Sequence, residues 1–215
     1  KFFKVVKQNP VGFLYELDFN KKKIEEKYFD FYFFHNSVNS KIYTNFYWKD
    51  LLSDYSKALN SIGLEYFFKN DFENAKKFFK MSRLFSDELH IPDYNLGIIY
   101  FFEKNNEMAK LHYEIAIKKL KRQHLDKRTR SFIFEELAKV YNNLGTVYER
   151  EGNLEEAEKL YRKAIKLKED FDQSYFNLGV IYWKKRNFKL VKYYFEKTLQ
   201  FNPTHKEARF YLKKL

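Results

Sequence analysis

Five histidines are the first candidates for chemistry: His35, His90, His112, His124 and His205. No two stand three or four residues apart, the spacing that sets two imidazoles on one helix face around a metal. His112 falls on a helical stretch beside an aromatic position and reads as structural or exposed. Cysteine is absent, which removes thiolate ligands, disulfides and cysteine nucleophiles. The sequence has no glycine-rich phosphate loop, and no Ser, His and Asp constellation suggests itself. Glu155, Glu156 and Glu158 read as the acidic first turn of a helix, which the helix dipole favours, rather than as paired catalytic carboxylates. No catalytic residue, cofactor or metal is therefore expected, and the chain is read as not an enzyme.

Charge offers a second kind of chemistry. The chain has 41 Lys and Arg against 29 Asp and Glu, a net +12. Such a balance favours acidic partners where the cations cluster. They do so between Lys118 and Arg130, where Lys118, Lys119, Lys121, Arg122, Lys127, Arg128 and Arg130 face a single acid, Asp126. The segment lacks interleaved aromatics on which bases would stack, so nucleic acid is disfavoured as a partner. Uncharged runs such as residues 31–40 are about half the roughly 20 apolar residues of a membrane-spanning helix. The chain opens on Lys1 rather than Met, so a trimmed or mature form that has lost an upstream signal or anchor is expected.

The elements that would position these groups follow from composition and spacing. Hydrophobic residues make up 45% of the 215, enough for a sizeable core, while 6 Gly and 3 Pro are too few for a many-turned β fold. A Leu/Ile–Gly pair occurs four times, ending at Gly63, Gly97, Gly145 and Gly179, with steps of 34, 48 and 34. Three residues after each glycine stands Tyr66, Tyr100, Tyr148 or Tyr182. Twelve after stands Ala75, Ala109, Ala157 or Val191. Sixteen after stands Phe79, Tyr113, Tyr161 or Phe195, and nineteen after stands Ser82, Ala116, Ala164 or Thr198. Polar turns separate the apolar series, and Pro203 closes the fourth unit.

This pattern resembles the tetratricopeptide repeat, a helix-turn-helix unit of 34 residues. The resemblance covers residues 56–123 and 138–205, as units 56–89, 90–123, 138–171 and 172–205. It implies an all-α, right-handed superhelix, an α-solenoid in which stacked neighbours bury what one hairpin cannot. The closing stretch 205–215 starts like another first helix, turns basic, and suits a capping helix.

The resemblance also implies a concave groove lined by the first helix of each unit. The slot just before each Leu–Gly pair faces it and holds Asn95, Asn143 and Asn177, with Ser61 in the first unit. An amide offers a peptide both donor and acceptor. The alternative is that these asparagines merely follow the repeat pattern. Other groove slots hold Tyr94, Asn142, Phe176, Phe67, Phe101, Trp183, Ile98, Thr146 and Val180, either as partner anchors or as filling between first helices. Members that clamp a terminal carboxylate carry two Lys, two Asn and an Arg at set slots. Here units two to four offer Tyr94, Ile98, Asn143, Gln173 and Asn177, which rejects that subtype; starting one unit earlier leaves three of the five mismatched.

Two regions fall outside the repeat. Residues 1–52 are read as a helical hairpin packed on the first repeat, opened by Pro10 with Leu14, Leu17, Ile24, Tyr28 and Phe31 roughly on one face; "YFDFYFF" is ambiguous with a strand. Between units two and three lie fourteen extra residues, about four helical turns. They are expected as two added turns on each flanking helix, a basic hairpin over about 118–134 that projects into water and turns near 125–129.

The functional expectation is a protein–protein interaction scaffold (residues 53–215), binding a partner protein or peptide through the groove, the N-terminal hairpin or both. The alternative is binding of an anionic polymer or membrane surface through 118–130. Rich use of Lys, Asn, Phe and Tyr, amino acids of AT-rich codons, resembles envelope-associated tetratricopeptide proteins of small-genome bacteria such as spirochaetes, where the module often sits on a membrane anchor.

Overall fold

Helix-favouring composition, polar turns and four packing glycines shape most of the chain. The computed structural model describes residues 3–9, 12–17, 46–123 and 126–215, and the chain divides into two compact units, 1–49 and 50–215. In the first unit, β1 (Phe3–Asn9) and β2 (Gly12–Leu17) pair antiparallel, with Phe3 opposite Leu17, Asn9 opposite Gly12 and an irregularity between Val5 and Lys7. This corrects the helical hairpin expected there, as far as residue 17. Pro10 can open a helix, but it also biases Asn9 towards extended backbone. The strands are rich in β-branched and aromatic residues (Val5, Val6, Phe13, Tyr15), and Asn-Pro with a nearby Gly is turn chemistry. The rest of the expected hairpin, residues 18–45, lies outside the described residues.

From Phe46 onward the described residues form nine helices: α1 (Phe46–Phe68), α2 (Phe72–Phe85), α3 (Ile91–Phe102), α4 (Asn106–Arg122), α5 (Thr129–Arg150), α6 (Leu154–Leu167), α7 (Asp172–Lys184), α8 (Phe188–Phe201) and α9 (Lys206–Leu212). They make an all-α helical repeat solenoid in which α1–α2, α3–α4, α5–α6 and α7–α8 are the paired units. Each glycine admits the aromatic ring sixteen positions on. A Cβ at Gly63, Gly97, Gly145 or Gly179 would lie 2.4–2.6 Å from a ring carbon of Phe79, Tyr113, Tyr161 or Phe195. The small residues at the crossing, Ala75, Ala109, Ala157 and Val191, are fully buried. Ser82 is buried too, and reciprocal bonds satisfy it. Its Oγ donates to the Ser56 carbonyl (2.7 Å) and Ser56 Oγ donates to the Ser82 carbonyl (2.8 Å).

The turns inside the units share one construction. Seven residues after each glycine the backbone is left-handed, at Asn70, Lys104, Gly152 and Arg186. The next residue, Asp71, Asn105, Asn153 or Asn187, accepts an N–H from the first turn of the second helix. Its own N–H returns to the carbonyl of the tyrosine three after the glycine, at 2.9–3.0 Å, which closes the first helix in the manner of a Schellman motif.

The fourteen inserted residues are not shared equally. α4 has 17 residues where the other second helices have 14, whereas α5 has 22 where α3 has 12 and α7 has 13. Nine or ten of the fourteen therefore lengthen α5, and three lengthen α4. Asp126 decides where that helix starts, because its Oδ1 accepts the N–H groups of Arg128 (2.8 Å) and Thr129 (2.7 Å). The extension is not a free hairpin either. Ile133 and Leu137 bury against Ile117 and Leu120 of α4 in one core cluster. The continuous exposed stretch runs from Asp126 to Phe132, into the first turn of α5, and on α4 Lys118, Lys121 and Arg122 are exposed too.

At the other end α9 seals the stack. Ala208 is buried, and the Tyr211 ring lies 5.3 Å from Phe195 and 5.2 Å from Trp183.

Candidate functional site

The first helices stack side by side, so a polar group between two of them loses water and needs a protein partner. The asparagines of the repeated slot find one. Asn95 Nδ2 donates to Asn60 Oδ1 (2.9 Å), Asn143 Nδ2 to Tyr94 Oη (3.0 Å), and Asn177 Nδ2 to Asn142 Oδ1 (2.9 Å). The rule is constant: the residue two before a glycine bonds to the residue three before the glycine of the preceding unit. Ser174 Oγ adds a second bond to Asn142 Oδ1 (2.9 Å). Asn95 and Asn142 are buried, while Asn143 and Asn177 are half-buried. At the last junction the polar pair gives way to rings. Phe176 stacks on His205 (4.5 Å) and lies 6.4 Å from Tyr211.

Further along the first helices the two halves of the chain diverge. In α1 and α3 the slots four and five after the glycine hold Phe67, Phe68, Phe101 and Phe102. Together with Phe72 they form a connected ring cluster: Phe67 to Phe102 is 6.0 Å, Phe67 to Phe72 is 5.6 Å, and Phe72 stacks on Phe102 at 6.1 Å. Phe68 remains 77% exposed and Phe102 59%. In α5 and α7 the same slots hold Glu149, Arg150, Trp183 and Lys184. Lys184 pairs with Glu149 at 2.7 Å, and Glu149 also accepts the Tyr161 hydroxyl at 2.8 Å. Arg150 lies over Phe101, 3.8 Å from the ring centre, and donates to the Phe101 carbonyl (2.6 Å) and to Asn106. Trp183 is covered by Phe188 (5.9 Å) and Tyr211.

Unit two hides a charged cluster that reading single slots did not reveal. At positions 4 before, 15 after and 22 after the glycine, the other units carry Leu59, Phe78 and Phe85; Tyr141, Leu160 and Leu167; and Tyr175, Tyr194 and Phe201. Unit two carries Asp93, His112 and Lys119. Asp93 is fully buried, 2.9 Å from His112 Nδ1, 2.7 Å from Lys119 Nζ and 3.2 Å from Arg83 Nε. Burial pushes its carboxyl up, but the bonds from His112 and Lys119 and the charges of Lys119 and Arg83 outweigh that and hold it below the usual range. Tyr100 stacks on the imidazole at 5.3 Å. His112 is thus a structural histidine in an internal ionic staple. The remaining described histidines have separate partners: His90 faces Glu136 at 3.3 Å, and His205 caps α9. Among the described residues no group of three or more His, Cys, Asp or Glu is placed to hold a metal.

The basic segment divides in the same way. Lys119, expected in the exposed field, is buried on Asp93, with further contacts to Asp87 (3.2 Å) and the Leu89 carbonyl (3.3 Å). α4 still packs along its last turn, so one of its lysines faces inward. Lys118, Lys121, Arg122, Lys127, Arg128 and Arg130 are exposed. Beside them a cleft of about 520 Å³ is lined by Lys127, Arg130, Phe134, Leu167, Lys168 and two acids, Glu135 and Asp170.

Comparison with known proteins agrees with this construction. Tetratricopeptide repeat models match residues 138–171 with one model, and 56–80 and 172–205 with another, so the chain carries tetratricopeptide repeats. Residues 90–123, the unit with the buried ions, are outside those matches. A chain of the Cut9–Hcn1 hetero-tetramer of APC/C superposes with a TM-score of 0.65 at 16% identity, over 74% of this chain and 29% of that one. PilF of Pseudomonas aeruginosa gives 0.63 at 21% identity, over 77% and 68%. MamA gives 0.57 at 23%, over 75% and 87%. The chain therefore spans less than a third of the Cut9–Hcn1 chain it resembles. At these identities the likeness is one of fold. No curated protein sequence matches the chain.

Proposed function

From a chain that carries tetratricopeptide repeats, we propose a non-enzymatic protein–protein interaction scaffold that seats a segment of a partner protein on the face of its first helices and so supports assembly or stability of a complex. One observation carries this reading: the connected cluster of Phe67, Phe68, Phe72, Phe101 and Phe102, in which Phe68 and Phe102 stay mostly exposed. Large exposed aromatics gathered in one place, with Phe68 and Phe102 the most exposed of the described rings, are the usual anchors of an interface. Tyr94, Asn142, Asn95, Phe176 and Trp183 serve chiefly to join neighbouring helices. Asn143 and Asn177, half-buried, keep a share of the surface for the partner.

The test is a pull-down from the native cell with mass spectrometry, using the parent and the double variant Phe68→Glu, Phe102→Glu. Both side chains are exposed, so helicity and melting should stay as in the parent while a specific protein partner is lost. A partner retained by the folded variant would contradict the reading. The compositional resemblance extends this proposal to a bacterial envelope, which fractionation of the native cell tests separately.

A further inference from the structure

We propose that the tip where α4 ends and α5 begins docks onto an anionic phospholipid surface, its cations meeting the headgroup charge and Phe132 entering the interface. This is independent of the first-helix face. Lys118, Lys121, Arg122, Lys127, Arg128 and Arg130 are exposed, and none has an acidic side chain within ion-pair distance among the described residues. Clusters of four to eight such cations are the usual signature of attraction to an anionic leaflet. The one acid of the segment, Asp126, turns its carboxylate to the N–H groups that open α5. Asp87, on the neighbouring loop, pairs with the buried Lys119. Residues 118–130, with seven cations and one acid, supply half of the chain's net charge of +12.

Shape and the exposed ring select the occupant. Every residue from Asp126 to Phe132 is exposed, so the first turn of α5 stands at the surface, beside the cleft lined in part by Lys127, Arg130 and Ser131. A peptide needs a concave seat. The nearest cleft carries Glu135 and Asp170, which would repel an acidic peptide. Phe132 is 53% exposed, with the His90 ring at 6.5 Å. It lies four residues after Arg128, hence on the same helix face. A ring beside a guanidinium gains from the boundary of headgroups and acyl chains, where the apolar part is buried and the charge stays wet. A single ring offers a nucleic acid no platform of successive bases.

The test uses the full chain and sedimentation with phosphatidylcholine vesicles, with and without phosphatidylserine, at about 0.15 M salt. Binding is expected only with phosphatidylserine and should fall steeply with salt. Each cation reversed among Lys121, Arg122, Lys127 and Arg128 should lower the partition by about fivefold or more. Phe132→Ala should lower it several-fold without changing the salt dependence, because apolar burial is not screened. Circular dichroism and melting of each variant should match the parent, since all five side chains face water. Absence of binding to phosphatidylserine vesicles overturns the proposal. So does indifference to Phe132→Ala combined with full competition by duplex DNA, which would make the tip a general polyanion binder.

Discussion

The first-helix face reads differently in its two halves. Units one and two place Phe67, Phe68, Phe101 and Phe102 where units three and four place Glu149, Arg150, Trp183 and Lys184. The helical frame is the same in both: a ring against a glycine, a left-handed turn residue, an Asp or Asn cap. In the second half the variable slots are answered from within the molecule, Lys184 by Glu149, Arg150 by Phe101 and Asn106, and Trp183 by Phe188 and Tyr211. In the first half Phe68 and Phe102 touch other rings but remain largely exposed. The frame is thus fixed by five or six slots per unit, and the few it leaves free distinguish a surface closed on itself from one open to a partner.

Breaking the frame should have the largest effect. Ala157 is fully buried where the helices of unit three cross. Ala157→Arg should cost several kcal/mol, on the order of other buried unpaired charges. An unchanged melting temperature would reject the repeat register. Next in size is the ionic staple of unit two. Asp93→Ala leaves the buried Lys119 without its main counter-charge and should cost about 3–5 kcal/mol. The triple replacement Asp93→Tyr, His112→Leu, Lys119→Leu, which copies Tyr141, Leu160 and Leu167 of unit three, should recover that loss, as read by denaturant unfolding. If it unfolds as easily as Asp93→Ala, the three slots are not equivalent between units.

The asparagines come third. Asn95→Ala should cost about 1 kcal/mol, the worth of an ordinary hydrogen bond, and leave partner affinity as it was. A lost partner with undiminished stability would make the ladder a ligand contact instead. The smallest effect concerns acid. Burial alone raises the Glu158 carboxyl, but hydrogen bonds from Lys185, Tyr182 and Arg162 hold it at about 2. The unfolded value is about 4.3. A depressed folded value means stability that is present above about pH 4.3 and fades as pH falls towards 2. The carboxylate is partly reached by water, so its share is on the order of 1 kcal/mol. The stability gap between parent and Glu158→Gln should narrow from pH 6 to pH 3; a constant gap would show that the ions joining units three and four are not coupled to folding.

What was legible in the sequence lay within single units. Gly145 and Tyr161, or Ala157 and its crossing, touch at fixed spacing, so four copies made the rule visible. The role of Asn95 was not, because its partner Asn60 sits in the neighbouring unit and in a different slot. Lys119 read as one more exposed cation because its counter-charge, Asp93, stands 26 positions earlier and matters only when three slots are compared across units. The partition of the insertion depended on a cap, Asp126, that length alone does not locate. Around Pro10 the helix-start rule competes with the β-branched and aromatic residues on either side, and Phe3–Asn9 and Gly12–Leu17 are strands.

The open surface on units one and two can be tested directly by site-specific photo-crosslinking in the native cell. A photoreactive side chain is placed in turn at Phe68, Phe102, Glu149 and Lys184. Crosslinks to one and the same partner protein from positions 68 and 102, with none from 149 or 184, are the predicted result. A partner captured from 149 and 184 but not from 68 or 102 would place the interface on the half that is closed, and would contradict the proposed function at its root.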